Sequence, residues 1–241
     1  MAIAAPAAHV LGVSYPSVHR RRLLLTPELM LRAYRAGLFP MAPSRASADL
    51  EWLDPLERGI IPLDAFHLPA RLARTLRNGG FTVRVDDDFA AVIADCAAPG
   101  PGRSGTWIND EIERVFNALA ALGHAHSVEV LAGGRLVGGL YGVAAGGAFF
   151  GESMFSHAAD ASKVALVHLV ARLRLGGFTL LDTQFVTDHL ARFGSITIPR
   201  EAYHLRLDAA LAAPAHWVGE PPAELLAAEI ARLREPSPPS S

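Results

Sequence analysis

Apolar and polar positions alternate along the chain with two different periods, and each period predicts its own kind of element. Apolar residues that recur every three or four positions behind a capping residue predict helices, whereas short apolar runs that end at glycine pairs predict strands. The predicted helices cover residues 27–36, 67–78, 89–97, 111–122, 164–175 and 201–211. The predicted strands cover residues 58–62, 81–85, 126–131, 135–143, 146–155, 178–181 and 195–198. Residues 146–184 are thus predicted to form a strand, a long helix and a second strand.

Three polar side chains interrupt the apolar stretch 146–184. Glu152 lies within the first strand, and Asp182 and Gln184 follow the second strand two positions apart, which places both on one face. The helix between them is apolar on nearly every side, which predicts burial, and Asp160 is expected to cap its N-terminus. A buried carboxylate is costly unless it is partnered or used in chemistry. These groups therefore either satisfy one another within the core or form a functional site, and their spacing alone favours neither alternative.

Length and composition limit the classes of protein to which this chain can belong. With 241 residues, of which 51% are hydrophobic, the chain is either one large domain or a small domain attached to a larger one. A net charge of −2 means that any basic surface has to be local. The single cysteine, Cys96, excludes an internal disulfide framework and a thiolate zinc site. The chain has no apolar run of transmembrane length and no signal-peptide pattern at its N-terminus, so we expect a cytoplasmic protein.

Two clusters of potential metal ligands have simpler explanations. Asp86, Asp87 and Asp88 precede a helix, where negative charge is favourable, so we interpret them as capping and solvated surface. His124 and His126 are two positions apart, and no third residue follows at a spacing typical of metal ligands. This pattern favours two structural histidines that hydrogen-bond to neighbouring groups. We therefore predict no metal site.

A series of short motifs, in order over residues 26–205, resembles the bacterial leucyl/phenylalanyl-tRNA–protein transferases. Each motif alone is weak, but the ordered set is highly specific. The motifs are residues 33–34 with 37–40, Thr106-Trp107-Ile108, residues 123–130, residues 136–143, residues 151–156, Ala161-Ser162-Lys163, Asp182-Thr183-Gln184 and Asp188-His189.

The resemblance implies an α+β fold with a mixed sheet. In that family a small N-terminal α/β domain precedes an acyltransferase domain of the GNAT type, whose sheet splays apart to hold an acyl donor. On this chain the two domains correspond to residues 1–62, of which 1–22 are expected to be mobile, and residues 63–234. The low-complexity tail, residues 235–241, is expected to be disordered.

The resemblance also implies a reaction. The family moves Leu, Phe or, less well, Met from an aminoacyl-tRNA to the N-terminal Arg or Lys of a protein, which marks that protein for degradation. An aminoacyl ester is already activated, so no cofactor, metal or nucleophilic side chain is expected. Its partners are the charged tRNA and the acceptor protein, with no membrane, and the family expectation is a monomer.

The same resemblance assigns roles to residues of this chain. Asp182, Gln184 and Glu152 match the catalytic positions, where Asp182 would orient or polarise Gln184 and Glu152 would bind the α-ammonium or the ribose of the donor. Whether Asp182 or Gln184 is a true general base, or the tRNA assists, stays open. The other matches are Trp52, Trp107 and Ser153 for the aminoacyl-adenosine, Leu140, Met154, Leu169, Leu173 and Leu181 for the side-chain pocket, and Arg71, Arg74, Arg77 and Arg84 for the tRNA acceptor stem.

Several positions depart from the family pattern, most of them in the N-terminal part. They are Met41, residues 20–25, residues 51–58 and His157. Two rival functions remain. An acyl-CoA-dependent N-acetyltransferase would need a glycine-containing pyrophosphate loop, but residues 156–162 contain no glycine. A non-catalytic RNA- or peptide-binding module is disfavoured by the presence of Asp182 and Gln184.

Overall fold

A computed structural model describes residues 25–100 and 105–234. Eight helices and nine strands occur in these ranges. In chain order they are α1 (Pro27–Arg35), β1 (Phe39–Met41), β2 (Glu51–Leu53), β3 (Glu57–Ile61), α2 (Ala70–Asn78), β4 (Phe81–Val85), α3 (Phe89–Ala97), α4 (Asp110–Ala121), β5 (Ala125–Ala132), β6 (Arg135–Ala145), β7 (Ala148–Ser156), α5 (Ala161–Leu175), β8 (Leu180–Gln184), α6 (Asp188–Ala191), β9 (Ile196–Pro199), α7 (Arg200–Ala212) and α8 (Ala223–Arg232).

Seven of the strands form one mixed sheet in the order β4-β5-β6-β7-β8-β3-β9, and β1 pairs with β2 in a separate two-stranded sheet. Neighbouring strands of the large sheet are antiparallel except β7 and β8, which are parallel. Parallel neighbours need a crossover connection, and α5 provides it. The mixed sheet with helices confirms the predicted α+β class and the strand–helix–strand arrangement of residues 146–184.

Helices cover both faces of the large sheet and create two hydrophobic cores. One core joins residues of α1, α3, α4 and α7 to one face. The other joins residues of α2, α5 and α8 to the opposite face. The helix α5 contacts the sheet on one side and α2 and α8 on the other, which explains why it is apolar nearly all round.

Side-chain caps occur at four of the eight described helices, α1, α3, α4 and α6. Thr26 caps α1, because its Oγ1 accepts a hydrogen bond of 3.2 Å from the Leu29 amide. The expected cap by Asp160 is wrong. Asp160 has a left-handed backbone with φ of 67° and makes no capping hydrogen bond. Its carboxylate instead accepts a 2.6 Å bond from Lys163 Nζ, which draws the side chain away from the helix start.

The C-terminal part contains an element that the sequence pattern missed. Residues 201–211 were expected to form the last packed helix before Trp217, and α8, for which no helix was predicted, follows Trp217 and packs against α5. An ion pair of 2.6 Å between Arg174 and Glu229 joins the two helices. The helix escaped prediction because its apolar stripe is short and its partner is distant in sequence.

The strand β3 bears on the predicted division into domains. It lies between β8 and β9 in the large sheet, although the sequence had placed residues 57–61 in the N-terminal domain. The predicted mobile segment 1–22 and tail 235–241 lie outside the described residues. Among the described helices, none has the length and apolar character needed to cross a membrane.

Candidate active site

A cavity opens where β7 and β8 separate. The two strands pair only from Ala148 to Phe150 and from Leu180 to Asp182, while β7 continues to Ser156. Beyond the last pair the strands diverge, and the cavity lies in that gap between β7, α5 and α6. Its apolar wall is formed by Leu140, Met154, Leu166, Leu169, Leu181 and Leu190, and its polar lining by Tyr141, Glu152, Ser153, Thr183, Thr187 and His189.

A bulge interrupts each of the two diverging strands. On β7, Gly151 and Ser153 face Gly142 and Tyr141, which leaves Glu152 without an opposite residue. On β8, Asp182 and Gln184 face consecutive residues of β3, which leaves Thr183 unpaired in the same way. A bulge bends a strand and re-aims its side chains, and bulges are frequent beside active sites. The two bulges bring Glu152 and Thr183 to the cavity lining.

Polar atoms around the cavity are buried without partners. Glu152 Oε1, Ser153 Oγ, Thr183 Oγ1 and His189 Nε2 have no hydrogen-bond partner among the described residues, and neither does Gln184 Nε2 beside them. An unpaired buried polar atom costs about 1–3 kcal/mol, so native proteins keep few of them. Several such atoms around one cavity indicate a place where a polar ligand binds.

Asp182 is fully buried and both of its carboxylate oxygens are engaged. Arg58 Nε donates to Oδ1 at 3.0 Å, and Arg58 Nη2 donates to Oδ2 at 2.6 Å. The Tyr203 hydroxyl donates to Oδ2 at 2.8 Å, and the amide of Gln184 donates to Oδ1 at 2.8 Å. The last bond holds Gln184 in a left-handed conformation with φ of 59°, which is uncommon outside glycine.

Arg58 is the residue that anchors this network. Its side chain is completely buried, and its guanidinium lies 4.5 Å from the ring centre of Phe39 and 4.4 Å from that of Tyr203. Nη1 donates a 2.9 Å bond to the carbonyl oxygen of Gly37. Both faces and both ends of the guanidinium are therefore occupied, so the ion pair with Asp182 is rigid.

Glu152 is the second buried carboxyl group of the site. Burial raises its pKa to about 8, to which the Asp182 charge adds, while Tyr34 and Arg58 act in the opposite direction. Burial and the proximity of Glu152 likewise raise the pKa of Tyr34, a residue of α1. Glu152 is consequently protonated at neutral pH in the free protein. The site holds one buried arginine and two carboxyl groups, and only Asp182 has a charged partner.

The predicted site residues lie in several places. Four predicted pocket residues, Leu140, Met154, Leu169 and Leu181, line the cavity together with Glu152 and Ser153. Leu173 is fully buried in the core around α5 but does not line the cavity. Asp182 and Gln184 flank the cavity from β8 and are not part of its lining.

The two predicted adenosine-binding tryptophans lie outside the cavity. Trp52 is 37% exposed on β2, opposite Pro40. Trp107 is half-buried against the core around α1 and α4, and its carbonyl accepts a 3.1 Å bond from the Ala42 amide. Both adjoin the N-terminal segment that supplies Phe39 and Gly37 to the Arg58 site.

The four predicted tRNA-binding arginines are exposed. Arg71, Arg74 and Arg77 follow one another along α2, and no ion pair engages them within the described ranges. Arg84 on β4 is already paired with Asp87 at 2.7 Å. The helix therefore offers three free cations, whereas Arg84 would have to leave an ion pair to bind phosphate.

Two family models match this chain in consecutive segments. The leucyl/phenylalanyl-tRNA protein transferase model matches residues 60–208, and the N-terminal domain model of the same family matches residues 24–56. The chain belongs to the leucyl/phenylalanyl-tRNA–protein transferase family.

Curated members of the leucyl/phenylalanyl-tRNA–protein transferase family from several bacteria are similar over most of their length. The protein of Nitrobacter winogradskyi is 61% identical over 78% of this chain and 83% of its own. The protein of Phenylobacterium zucineum is 62% identical over 78% and 85% of the two chains. That of Caulobacter vibrioides is 58% identical over 80% and 89%.

Solved structures align less well. The C-terminal domain of a lysylphosphatidylglycerol synthetase from Agrobacterium fabrum covers 86% of this chain and 70% of its own at 14% identity. The TM-score of 0.35 is below the level from which a shared fold follows.

Three residues around the buried carboxyl groups were not predicted as site residues from the sequence. Arg58, Tyr203 and Tyr34 surround Asp182 and Glu152 from β3, α7 and α1. Arg58 could have been noticed in the sequence, because it is a charged residue at the start of an otherwise apolar predicted strand. Nothing in the sequence distinguishes the two tyrosines, because an aromatic residue on the apolar face of a helix is ordinarily part of the core.

Proposed function

We propose that this protein transfers Leu, Phe and, less well, Met from aminoacyl-tRNA to the N-terminal Arg or Lys of acceptor proteins. Family membership supports tRNA-dependent aminoacyl transfer to protein. The observation that carries the proposal for this site is the gap between β7 and β8, where an apolar cavity meets a rim of unpaired buried polar atoms. A hydrophobic amino acid esterified to an adenosine has matching apolar and polar ends.

The amino-acid side chain occupies the apolar part of the cavity. Its lining of leucines and one methionine accepts side chains of different shape that are unbranched at Cβ, because a thioether adapts to its neighbour. Leu140, Met154, Leu169 and Leu181 contact the donor in this proposal. Leu173 is buried in the same core without lining the cavity, so it supports these residues through packing.

Asp182 is a positioning residue in this proposal. Its oxygens already accept bonds from Arg58, Tyr203 and Gln184, which leaves little capacity to take a proton from the attacking amine. It instead holds Gln184, whose carbonyl oxygen guides the acceptor amine to the ester. The rate gain then comes from the orientation of two reactants, which is worth several kcal/mol in well-arranged systems.

Glu152 binds the α-ammonium group of the donor. In the free protein its carboxyl group is neutral, because burial raises its pKa to about 8. A bound ammonium favours the ionised form of Glu152, so the carboxyl group releases its proton to solvent when the donor binds, and the resulting carboxylate accepts a charge-assisted hydrogen bond from the ammonium. Donor binding therefore completes the charge balance of the site.

The tRNA contacts extend outward from the cavity. Trp52, Trp107 and Ser153 contact the 3′-terminal adenosine, where stacking on an aromatic ring contributes about 1–3 kcal/mol per base. Arg71, Arg74, Arg77 and Arg84 bind phosphates of the acceptor stem independently of sequence. The uncompensated arginines of α2 support this assignment.

The architecture proposed for this activity is GNAT-like, with residues 63–234 as the acyltransferase domain and 1–62 as a smaller N-terminal domain. The separation of β7 from β8 supports it, although β3 belongs to the large sheet. The enzyme works as a cytoplasmic monomer and uses no cofactor in this proposal. A non-catalytic binding module is disfavoured by the Asp182 network.

An acyl-CoA-dependent N-acetyltransferase is the alternative enzyme. It would bind a pyrophosphate at the start of α5, but that turn has no glycine and carries the carboxylate of Asp160. A carboxylate beside a pyrophosphate is repulsive, which disfavours acyl-CoA at this position.

The test uses purified protein, charged leucyl-tRNA and a peptide that begins with Arg, with the peptide mass as the readout. We expect one leucine to be added, and the same with an N-terminal Lys. A peptide that begins with Ala is the matched acceptor control. Acetylation of the peptide with acetyl-CoA, together with no leucine transfer, would falsify the proposal.

A further inference from the structure

The short helix α6 places one residue in the cavity for which no part in the reaction has been assigned. His189 lines the cavity beside Thr187 and Leu190. Its Nε2 atom is buried and has no hydrogen-bond partner in residues 25–100 and 105–234. Leaving this atom unpaired costs free energy that a bound ligand recovers by bonding to it. We therefore expect a polar group of the substrate to lie within hydrogen-bonding distance of Nε2.

The imidazole packs against a neighbouring aromatic ring. Its ring meets that of Phe193 edge-on, with the ring centres 5.5 Å apart and the planes at 66°. Thr187 caps α6 by accepting a 3.3 Å bond from the Leu190 amide, so the backbone that carries His189 is also held. The hydroxyl groups of Ser153 and Thr183 share the cavity, but a hydroxyl hydrogen rotates freely. Pre-organised donors stabilise developing charge most effectively.

The charge state of His189 limits what it can do. Burial lowers its pKa to about 4, Lys163 and Arg192 lower it further, and Asp160 partly offsets them. The imidazole is neutral at physiological pH and carries a single N–H. It is too weak a base to remove the proton of the attacking amine. A neutral imidazole of this kind can act as an electrophile toward a carbonyl oxygen, as triosephosphate isomerase illustrates.

We propose that the Nε2–H of His189 donates a hydrogen bond to the ester carbonyl oxygen of the donor and stabilises the oxyanion formed there. This assignment rests on the proposed function, because it requires an aminoacyl ester in the cavity. The apolar lining holds the amino-acid side chain and Glu152 holds its ammonium, so the ester carbonyl oxygen is the polar group of the donor that we assign to the unpaired Nε2 of His189. His189 is then a catalytic residue, in contact with a reacting atom.

The step balances without a change in the protonation of His189. The acceptor amine attacks the carbonyl carbon, a C–N bond forms, and the carbonyl π electrons move to the oxygen that faces Nε2–H. The oxyanion then collapses, and the C–O bond to the 3′ ribose breaks. The proton lost by the amine ends on the released 3′ oxygen of the tRNA. His189 supplies a hydrogen bond in each state and neither gains nor loses a proton.

The first test compares His189→Phe, His189→Gln and the wild type in single-turnover transfer from leucyl-tRNA to an Arg peptide. We expect His189→Phe to lower the rate constant by roughly 10²–10³-fold, the usual effect of losing an oxyanion donor, with the donor Kd changed only a few-fold. His189→Gln restores an N–H donor and should recover at least about tenfold of that loss.

A second buried histidine provides the matched control. Burial lowers the pKa of His168 to about 4 as well, but its ring nitrogen lies 3.2 Å from Arg172 and does not line the cavity. We expect His168→Phe to keep the single-turnover rate of the wild type. Thermal unfolding of every variant separates loss of fold from loss of function.

Two further measurements use the wild type and His189→Gln, and they test the assignment even if His189→Phe fails to fold. Nitrogen-15 NMR of the His189 ring should show a neutral imidazole with the proton on Nε2 between pH 6 and 8. The ratio of wild-type to His189→Gln rates should stay constant over the same range. An unprotonated Nε2, a ratio that titrates, or a folded His189→Phe within threefold of the wild-type rate would each overturn the assignment. An inactive wild type would instead refute the proposed function.

Discussion

Arg58 and Asp182 form a buried ion pair, and at the scale of single residues this pair determines how Gln184 is presented. Asp182 accepts a 2.8 Å bond from the Gln184 amide only while its carboxylate stays in place, and Arg58 keeps it there through contacts at 2.6 and 3.0 Å. A buried charge without its partner is strongly unfavourable. We therefore expect the loss of either partner to lower stability and to disturb the presentation of Gln184.

Replacing Arg58 tests this dependence. We expect Arg58→Met to lower the free energy of unfolding by about 3–5 kcal/mol, because it leaves Asp182 buried and unpaired. The double variant with Asp182→Asn should cost less than the sum of the single changes, as measured by urea denaturation. The exposed pair of Arg84 and Asp87 is the control, and Arg84→Met should cost at most about 1 kcal/mol. Equal losses in the two arginine variants would contradict the prediction.

Glu152 links stability to pH. Burial raises its pKa from 4.5 to about 8, so the folded protein holds a proton that the unfolded chain releases between these values. The stability associated with Glu152 is complete below about pH 4.5 and declines as the pH rises to about 8. We expect the Tm of the wild type to fall more steeply over this range than that of Glu152→Gln.

Scanning calorimetry between pH 5 and 9 measures this difference. The depressed pKa of His189 acts in both proteins, so it cancels in the comparison. Glu57→Gln, at an exposed position of β3, should follow the wild-type curve. Parallel curves for the wild type and Glu152→Gln would show that Glu152 is not protonated in the fold.

At the scale of elements, the site depends on how closely β3 approaches the end of β8. A Cβ atom added at Gly59 would lie 2.6 Å from the carbonyl carbon of Phe185 and 2.7 Å from the Val186 nitrogen. Both contacts are with backbone, which cannot move aside without shifting Gln184. The glycine is therefore required by packing at the bulge.

Gly59→Ala should separate the two strands. We expect a loss of about 1–3 kcal/mol in the free energy of unfolding, the usual range for overpacking. The single-turnover transfer rate should fall as well, because Gly59 is the partner of Gln184 in the sheet. Gly100→Ala has nothing within 4 Å of the added atom and should change neither quantity. If both variants behave alike, the close approach does not position the site.

The helix α2 is the element on which tRNA affinity should depend. Arg74 is exposed on it, so we expect Arg74→Ala to weaken tRNA binding and to reduce the slope of log K against log salt by about 1. The transfer rate from bound donor should be unchanged. Arg206→Ala, at an exposed position of α7 on the opposite face of the sheet, should leave binding and slope as they are. Equal effects of the two changes would remove α2 from the tRNA interface.

At the scale of the whole molecule, the C-terminal segment, residues 213–234, packs against the side of α5 that faces away from the sheet. Trp217 stacks on His126 with ring centres 4.4 Å apart, Arg172 Nε donates a 3.1 Å bond to the Gly219 carbonyl, and Glu229 pairs with Arg174 at 2.6 Å. Two of these contacts attach to α5, whose leucines line the cavity. The segment thus supports the site without contacting it.

Truncation after Ala212 removes these contacts together. We expect a lower Tm and weaker binding of leucyl-tRNA, because Arg172 loses a partner while it stays within the core around α5. Truncation after Arg234 keeps every described residue and should match the full chain in both measurements. Differential scanning fluorimetry and filter binding provide the readouts. A Tm that is the same in both truncated proteins would show that α5 needs no external support.

The sequence by itself determined most of the elements of this protein, and its family. Periodicity, caps and glycine turns act within a few residues, so α1, α3 and the strands from β4 to β7 were predicted near their observed bounds. The ordered motifs identified the family for the same reason, since each motif is a local string. Glu152, Asp182 and Gln184 were singled out because charged or amide groups in an apolar stretch are visible without a structure.

Only the tertiary structure decided how those residues are partnered. Arg58 reaches Asp182 across 124 positions of sequence, and Tyr203 and Tyr34 arrive from helices on the same face of the sheet. The bulges that re-aim Glu152 and Thr183 depend on strand register, which the alternation of polar and apolar residues does not specify at glycine-rich positions. Partnering, burial and pKa are properties of the packed chain, because each depends on groups that only folding brings together.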